Sequence, residues 1–235
     1  MPDITMSWRA KNALSTETMT DLRTRLREAD GAPVLLTGTG DSFSAGLHLK
    51  EVASLDAEGM RRFLGILDSL MVELFQYPGP VVAHVNGHAI AGGCILALAC
   101  DHRVAARGGT ARIGLNEAAL GLVFPPRILE LVRRRVAPPH LDRVILGAGL
   151  FGPEEALALG LVDELADDAG AVARACLETL ASYPADAYAR NKVLLRGNRG
   201  ADLVPDDVAA RAFEQALPVW TSGAVKEKVT RLLAR

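Results

Sequence analysis

The chain has 235 residues, of which 49% are hydrophobic and only 5% aromatic, and its formal net charge is -2. That length suits one large α/β domain or a core with a small appendage, and aliphatic side chains must fill the core. With no dominant block of either sign, nothing calls for nucleic acid or an anionic membrane as partner.

Taken in order, Ile4 to Trp8 reads as a short strand. Thr16 to Glu28 reads as a helix, with Ser15 as N-cap and Met19, Leu22 and Leu26 on one face. Pro33 to Thr37 is a continuous apolar run of the buried-strand kind, and Gly38-Thr39-Gly40-Asp41 is turn chemistry. Helical spacing of Met60, Phe63, Leu64, Leu67, Leu70, Met71 and Leu74 predicts a helix over Asp56 to Gln76, ended by Tyr77-Pro78-Gly79-Pro80. Val81 to Val85 is the next strand, and glycines 87, 92 and 93 flank a loop before a helix over Cys94 to Ala99. Arg103 to Ala106 and Ala111 to Gly114 resume as strands. The alternation of strand and helix predicts a largely parallel, layered α/β fold.

Beyond Pro125-Pro126 the pattern turns helical, over 128–136, 141–146, 154–158, 169–182, 185–195 and 206–216, with one last short strand over Leu161 to Leu165. Arg133-Arg134-Arg135 reads as a solvated helix face. The three cysteines, Cys94, Cys100 and Cys176, lack CxxC spacing, which argues against a disulfide scaffold or zinc knuckle and for a reducing, cytoplasmic setting. Met1-Pro2-Asp3-Ile4 has no signal-peptide character. Val81 to Cys100 is apolar, but His84, Asn86, His88 and three glycines make it a buried strand, turn and helix rather than a membrane span.

Three constellations could carry chemistry. Gly38 to Leu47 is glycine-rich after a buried strand, yet it lacks a Walker lysine and a suitable dinucleotide fingerprint, so it reads equally as a turn. Gly87 to Cys94 lies between a buried strand and a buried helix. Glycines there either expose backbone N–H groups that stabilise negative charge, or simply allow close packing. Glu117 has the apolar neighbours Ile113, Leu115, Ala118, Ala119 and Leu120. It reads either as a base made effective by burial or as a favourable charge at a helix start. His84 and His88 do not form a helical metal pair, no G-x-S-x-G elbow is present, and His48 and His102 read as structural side chains.

Together the segments Lys11-Asn12-Ala13-Leu14-Ser15, Phe43 to Lys50, Asn86 to Cys94 and Cys100-Asp101-His102-Arg103 resemble the crotonase, or enoyl-CoA hydratase/isomerase, superfamily. Within it, Ile113 to Glu117, Leu120 to Val123, Leu150 to Leu157 and Leu161-Val162-Asp163 resemble the mitochondrial-type Δ3,Δ2-enoyl-CoA isomerases. The resemblance implies an α/β spiral of ββα units over residues 1–180 and a helical region over 181–235 that assembles homotrimers or dimers of trimers. It implies an acyl-CoA thioester as substrate, with CoA as part of that substrate and no separate cofactor or metal. The implied oxyanion donors are the N–H groups of Leu47 and Gly92, and the acid/base is Glu117. Ala45, Gly46 and Ile95 would line the substrate, and Lys50 and Lys228 are candidates for the CoA phosphates. Ile95 stands where hydratases carry a second glutamate. His48 replaces a usual Asp, the opening hairpin is cut short, and Phe124-Pro125-Pro126-Arg127 replaces a glycine-rich segment. The rival readings are an acyl-thioester decarboxylase or hydrolase, a hydratase, and a non-catalytic acyl-CoA binder.

Overall fold

A computed structural model describes residues 2–233. Its strands are β1 (Asp3–Met6), β2 (Val34–Gly38), β3 (Ser42–Ser44), β4 (Val81–Val85), β5 (His88–Ile90), β6 (His102–Ala106), β7 (Ile113–Gly114) and β8 (Glu164–Ala166). They form two parallel sheets, ordered β1-β2-β4-β6-β8 and β3-β5-β7. Successive strand pairs therefore split, one strand going to each sheet, before a helix carries the chain onward. This repeat of strand, strand and helix is the expected ββα spiral.

The large sheet is buried on both faces, which explains the unbroken apolar runs of β2 and β4. Ile4, Met6, Val34, Leu36, Val81, Ala83 and Val85 face the main core, while Leu35, Val82 and Val104 pack on Ala169, Ala173 and Leu177 of helix Ala169–Ala181. His84 lies on this second side, where its Nδ1 meets the Thr37 hydroxyl at 3.1 Å. A Cβ on Gly170 would come within 3.4 Å of the His84 ring.

Most elements lie where periodicity places them. The exceptions have physical causes. β3 and β5 occupy segments read as turn and loop, because three-residue strands rich in Ser, His and Ala show no usable alternation. The first strand stops at Met6 rather than Trp8, and the last begins at Glu164 rather than Leu161. The last helix, Gly223–Leu233, falls in the region expected to be helical but beyond the individual helices that periodicity delimits, since Pro218 and Gly223 punctuate the pattern there. Pro218 nevertheless sits inside helix Asp206–Trp220.

Helices Ala185–Arg196, Gly200–Leu203, Asp206–Trp220 and Gly223–Leu233 make up the region after residue 181. They share the main core through Leu203, Leu217, Trp220, Val225 and Val229. A buried charge cluster ties the first of them down. Asp101 Oδ2 accepts from Lys192 Nζ and from the Val81 N–H, both at 2.7 Å, and Oδ1 pairs with Arg196 at 2.8 Å. Lys192 also donates to the Gly79 carbonyl at 2.9 Å, and Arg196 to that of Phe75 at 3.0 Å. Burial pulls Lys192 down to about 8, against the opposing pull of the Asp101 charge.

The arginine run is only partly a solvated face. Arg133 and Arg134 are exposed, but Arg135 turns inward and donates to the carbonyls of Leu98, Cys100 and Asp101 at 3.0–3.1 Å. These carbonyls end helix Gly92–Ala99 and lack helical partners, so a guanidinium with several donors suits them. Burial pulls Arg135 down to about 10.

Asp101→Ala would leave two cations buried without their acceptor. It is expected to cost about 3–5 kcal/mol of stability. A denaturant midpoint unchanged from wild type would show that the cluster contributes nothing.

Candidate active site

The strand-to-helix connections of neighbouring spiral turns converge on one apolar cavity of about 290 Å³. Ala45 and Leu47 come from the loop after β3, Ala91, Gly92 and Ile95 from the turn and helix after β5, and Asn116 and Glu117 from the turn after β7. Leu67, Leu122, Phe124, Pro125, Ile128 and Trp220 line it further, and Val229 and Leu232 of the last helix complete it.

The loop after β3 is organised from the N-terminal segment. Leu14 forms an isolated parallel bridge with Leu47: the Leu14 N–H donates to Gly46 O at 2.8 Å and Leu14 O accepts from the His48 N–H at 2.9 Å. In that pattern the N–H of Leu47 itself points away from Leu14. Asn12 fixes the arrangement. It is buried at φ +57°, its amide donates to Ser42 O at 2.8 Å, and its carbonyl accepts from Ser44 Oγ at 2.8 Å. Gly46 has φ +85°, and a Cβ there would lie 2.6 Å from Ile90 O and 3.3 Å from Gly92 N. Only glycine lets the two loops meet so closely.

The second loop turns on Ala91, the residue before helix Gly92–Ala99, which has φ +50°. A non-glycine residue there stores about 1–3 kcal/mol of strain. Two hydrogen bonds pin it: Ala91 N to Gly114 O at 2.8 Å, and Ile95 N to Ala91 O at 3.0 Å. The turn makes Gly92 the first residue of the helix, whose N–H has no intrahelical acceptor. Among the described residues, neither the Leu47 nor the Gly92 N–H has an acceptor. The two glycines differ in their surroundings. A Cβ on Gly93 would meet Ser44 O at 2.2 Å, so Gly93 serves packing, while Gly92 lines the cavity.

Glu117 opens the four-residue helix Glu117–Leu120 and is 6% exposed. Among the described residues it is the only ionisable group in the cavity wall, and its Oε2 is buried without a hydrogen-bond partner. Desolvation pushes its carboxyl up to about 7, with backbone N–H groups pulling weakly the other way. It is not the exposed helix-start charge of the alternative reading. Ile95 is buried, 3% exposed, and lines the same cavity. A carboxyl that titrates near neutrality, in the same largely apolar cavity as two N–H donors without acceptors, can move a proton while negative charge develops on a bound oxygen.

The other predicted residues fall around this centre. Ala45 lines the cavity, and Gly46 supports it without lining it. Lys50 is exposed on an adjoining cleft that it shares with Arg9, Leu47 and Leu49. Lys228 sits on the last helix and donates to Ala119 O at 2.8 Å. His48 N-caps helix Leu49–Ser54, its Nδ1 accepting from the Glu51 N–H, and His102 lies 3.4 Å from Glu164. Both are structural, as read. Asn12 lies within the N-terminal motif, and its burial and positive φ emerge only in the fold. Trp220, Val229 and Leu232 escaped because no local pattern connects the C-terminus to this cavity.

A family model described as enoyl-CoA hydratase/isomerase matches residues 2–217. Over 200 residues, covering 82% of this chain and 69% of the relative, the chain is 29% identical to mouse mitochondrial enoyl-CoA delta isomerase 1. It is 36% identical over 202 residues to a Thermus thermophilus protein described as a putative enoyl-CoA hydratase, covering 82% of this chain and 79% of that one. The crystal structure of human mitochondrial Δ3-Δ2-enoyl-CoA isomerase superposes with a TM-score of 0.89 at 26% identity, covering 99% of this chain and 93% of the other. By its matched span, its ββα spiral and these relatives, the chain belongs to the enoyl-CoA hydratase/isomerase family and is an enzyme of the crotonase superfamily.

Proposed function

We propose that this enzyme moves the double bond of a 3-enoyl-CoA to the 2-position. The observation that carries this reading is a lone buried carboxylate, Glu117, facing a cavity in which Ile95 supplies only hydrocarbon. The thioester oxygen accepts from the N–H groups of Leu47 and Gly92. As a proton leaves C2, negative charge grows on that oxygen, and each fixed donor is worth about 2.7–4 kcal/mol at the transition state. Glu117 takes the C2 proton and returns it to C4, so the dienolate becomes the conjugated 2-enoyl thioester with no net gain or loss of atoms.

Hydration makes a different demand. A water must be held and deprotonated while C2 receives a proton, a task that two carboxylates share well. At Ile95 a water would lose hydrogen bonds without replacement. The Thermus relative described as a hydratase keeps hydration as the second reading. Lys50, on the cleft that adjoins Leu47, is the proposed contact for the CoA phosphates.

Purified protein given a 3-enoyl-CoA is expected to produce the ultraviolet absorbance of a conjugated enoyl thioester, and from a 2-enoyl-CoA to form no 3-hydroxyacyl-CoA. Dominant hydration would overturn the assignment. Glu117→Gln is expected to lower kcat by about 10²–10⁴. Because the base must be ionised, kcat/KM of the wild type should rise with pH, through a midpoint of about 7, to a plateau. A profile already flat from pH 5 upward would exclude Glu117 as the titrating base.

Stability should move the other way. The folded carboxyl holds its proton up to about 7, whereas the unfolded one releases it near 4.5. Between these values the folded state binds more protons, so stability falls as pH rises, by on the order of 3 kcal/mol across the window. Glu117→Gln removes this loss, and denaturant titrations should find the variant more stable than wild type at pH 8 but not at pH 4.

A further inference from the structure

The helix that carries Glu117 is one turn long and cannot hold itself. Three carbonyls of the turn are nevertheless engaged locally. Asn116 O accepts from the Leu120 N–H at 3.1 Å, Ala118 O from the Gly121 N–H at 3.1 Å, and Glu117 O from the Leu122 N–H at 2.9 Å. With Gly121 at φ +78°, this is a Schellman closure. A fourth carbonyl, Ala119 O, accepts from Lys228 Nζ at 2.8 Å, across 109 residues of chain. Lys228 lies one residue before Val229, which is buried and lines the cavity, and Leu232 lines it one turn further on. A Cβ on Gly121 would be 3.9 Å from both Lys228 Nζ and Val225 Cγ2, so the last helix rests directly on the closure.

From this geometry we infer that Lys228 is a positioning residue for the acid/base: it fastens the last helix to the turn that holds Glu117, and that helix completes the wall which keeps the carboxyl dry. A cation at the C-terminal carbonyls also complements the dipole of the turn. The inference rests on the isomerase reading only for its kinetic test. It gives Lys228 a different task from the phosphate contact that the family resemblance implied.

Few other charges bear on Glu117. From helix Gly92–Ala99, Cys94 feels both Glu117 and Arg103, and Arg103 is paired with Asp163. The last helix carries Lys226, Glu227, Lys228 and Arg231, of which Glu227 and Arg231 pair at the surface. Burial, rather than a neighbouring charge, holds the carboxyl up. Loosening the helix should therefore act through water.

Lys228→Met and Lys228→Arg would be compared with wild type on a 3-enoyl-CoA and on the matching pantetheine thioester, which lacks the nucleotide phosphates. Lys228→Met is expected to lower kcat on both substrates by at least about tenfold, since a misplacement of ~1 Å can cost on the order of 100-fold. Its pH midpoint should fall toward the ordinary carboxylate range, and Lys228→Arg should restore both. A loss seen only as a raised KM for the CoA thioester, with the midpoint unmoved, would make Lys228 a phosphate contact and overturn the inference. So would the absence of any change. A carboxyl-carbon NMR titration of Glu117 in substrate-free wild type and Lys228→Met reads the same shift without turnover. A shifted titration in a protein that fails to isomerise 3-enoyl thioesters would sink the isomerase reading and leave the positioning role standing.

Discussion

Keeping one carboxylate away from water is the constraint on which the rest of the structure turns. In water Glu117 would be ionised and strongly solvated at neutral pH, and a poor partner for a carbon acid. Inside the cavity its two protonation states are nearly balanced. That balance needs an apolar wall on every side, and the wall is drawn from segments as distant as Leu47, Ile95, Phe124 and Leu232. The ββα spiral supplies most of it because each strand pair ends at the same chamber. The C-terminal helices supply the remainder.

The N–H groups of Leu47 and Gly92 present the opposite case: among the described residues they have no acceptor, and unpaired buried donors are costly. The fold meets that cost with local geometry that few residues tolerate, namely Gly46 and Ala91 at positive φ and a carbonyl packed where a side chain of Gly93 would be. Strain and unsatisfied donors in one place are the geometry that the proposed oxyanion role would use.

Much of this was legible in the chain itself. The apolar runs of β2 and β4 and the heptad-like face of helix Ala57–Phe75 announce themselves by periodicity. Glu117 stands out as a charge among aliphatic neighbours, and the glycines of the two loops by their density. What could not be read arises from distance. β3 and β5 are three residues long and acquire meaning only by pairing with each other. The inward turn of Arg135 depends on carbonyls some 35 residues away, which no helical pattern encodes. The last helix follows a proline that local rules treat as an end, and its role beside Glu117 is purely tertiary.

Order of synthesis adds a consequence to the one-turn helix of Glu117. Its closure is local, but one of its carbonyls and part of the wall over its carboxyl are met only by residues more than a hundred positions later. The two N–H groups are held by residues 12 to 114, whereas part of the wall over the carboxyl comes from Trp220, Val229 and Leu232. The cavity is therefore complete only once the last helix has been made.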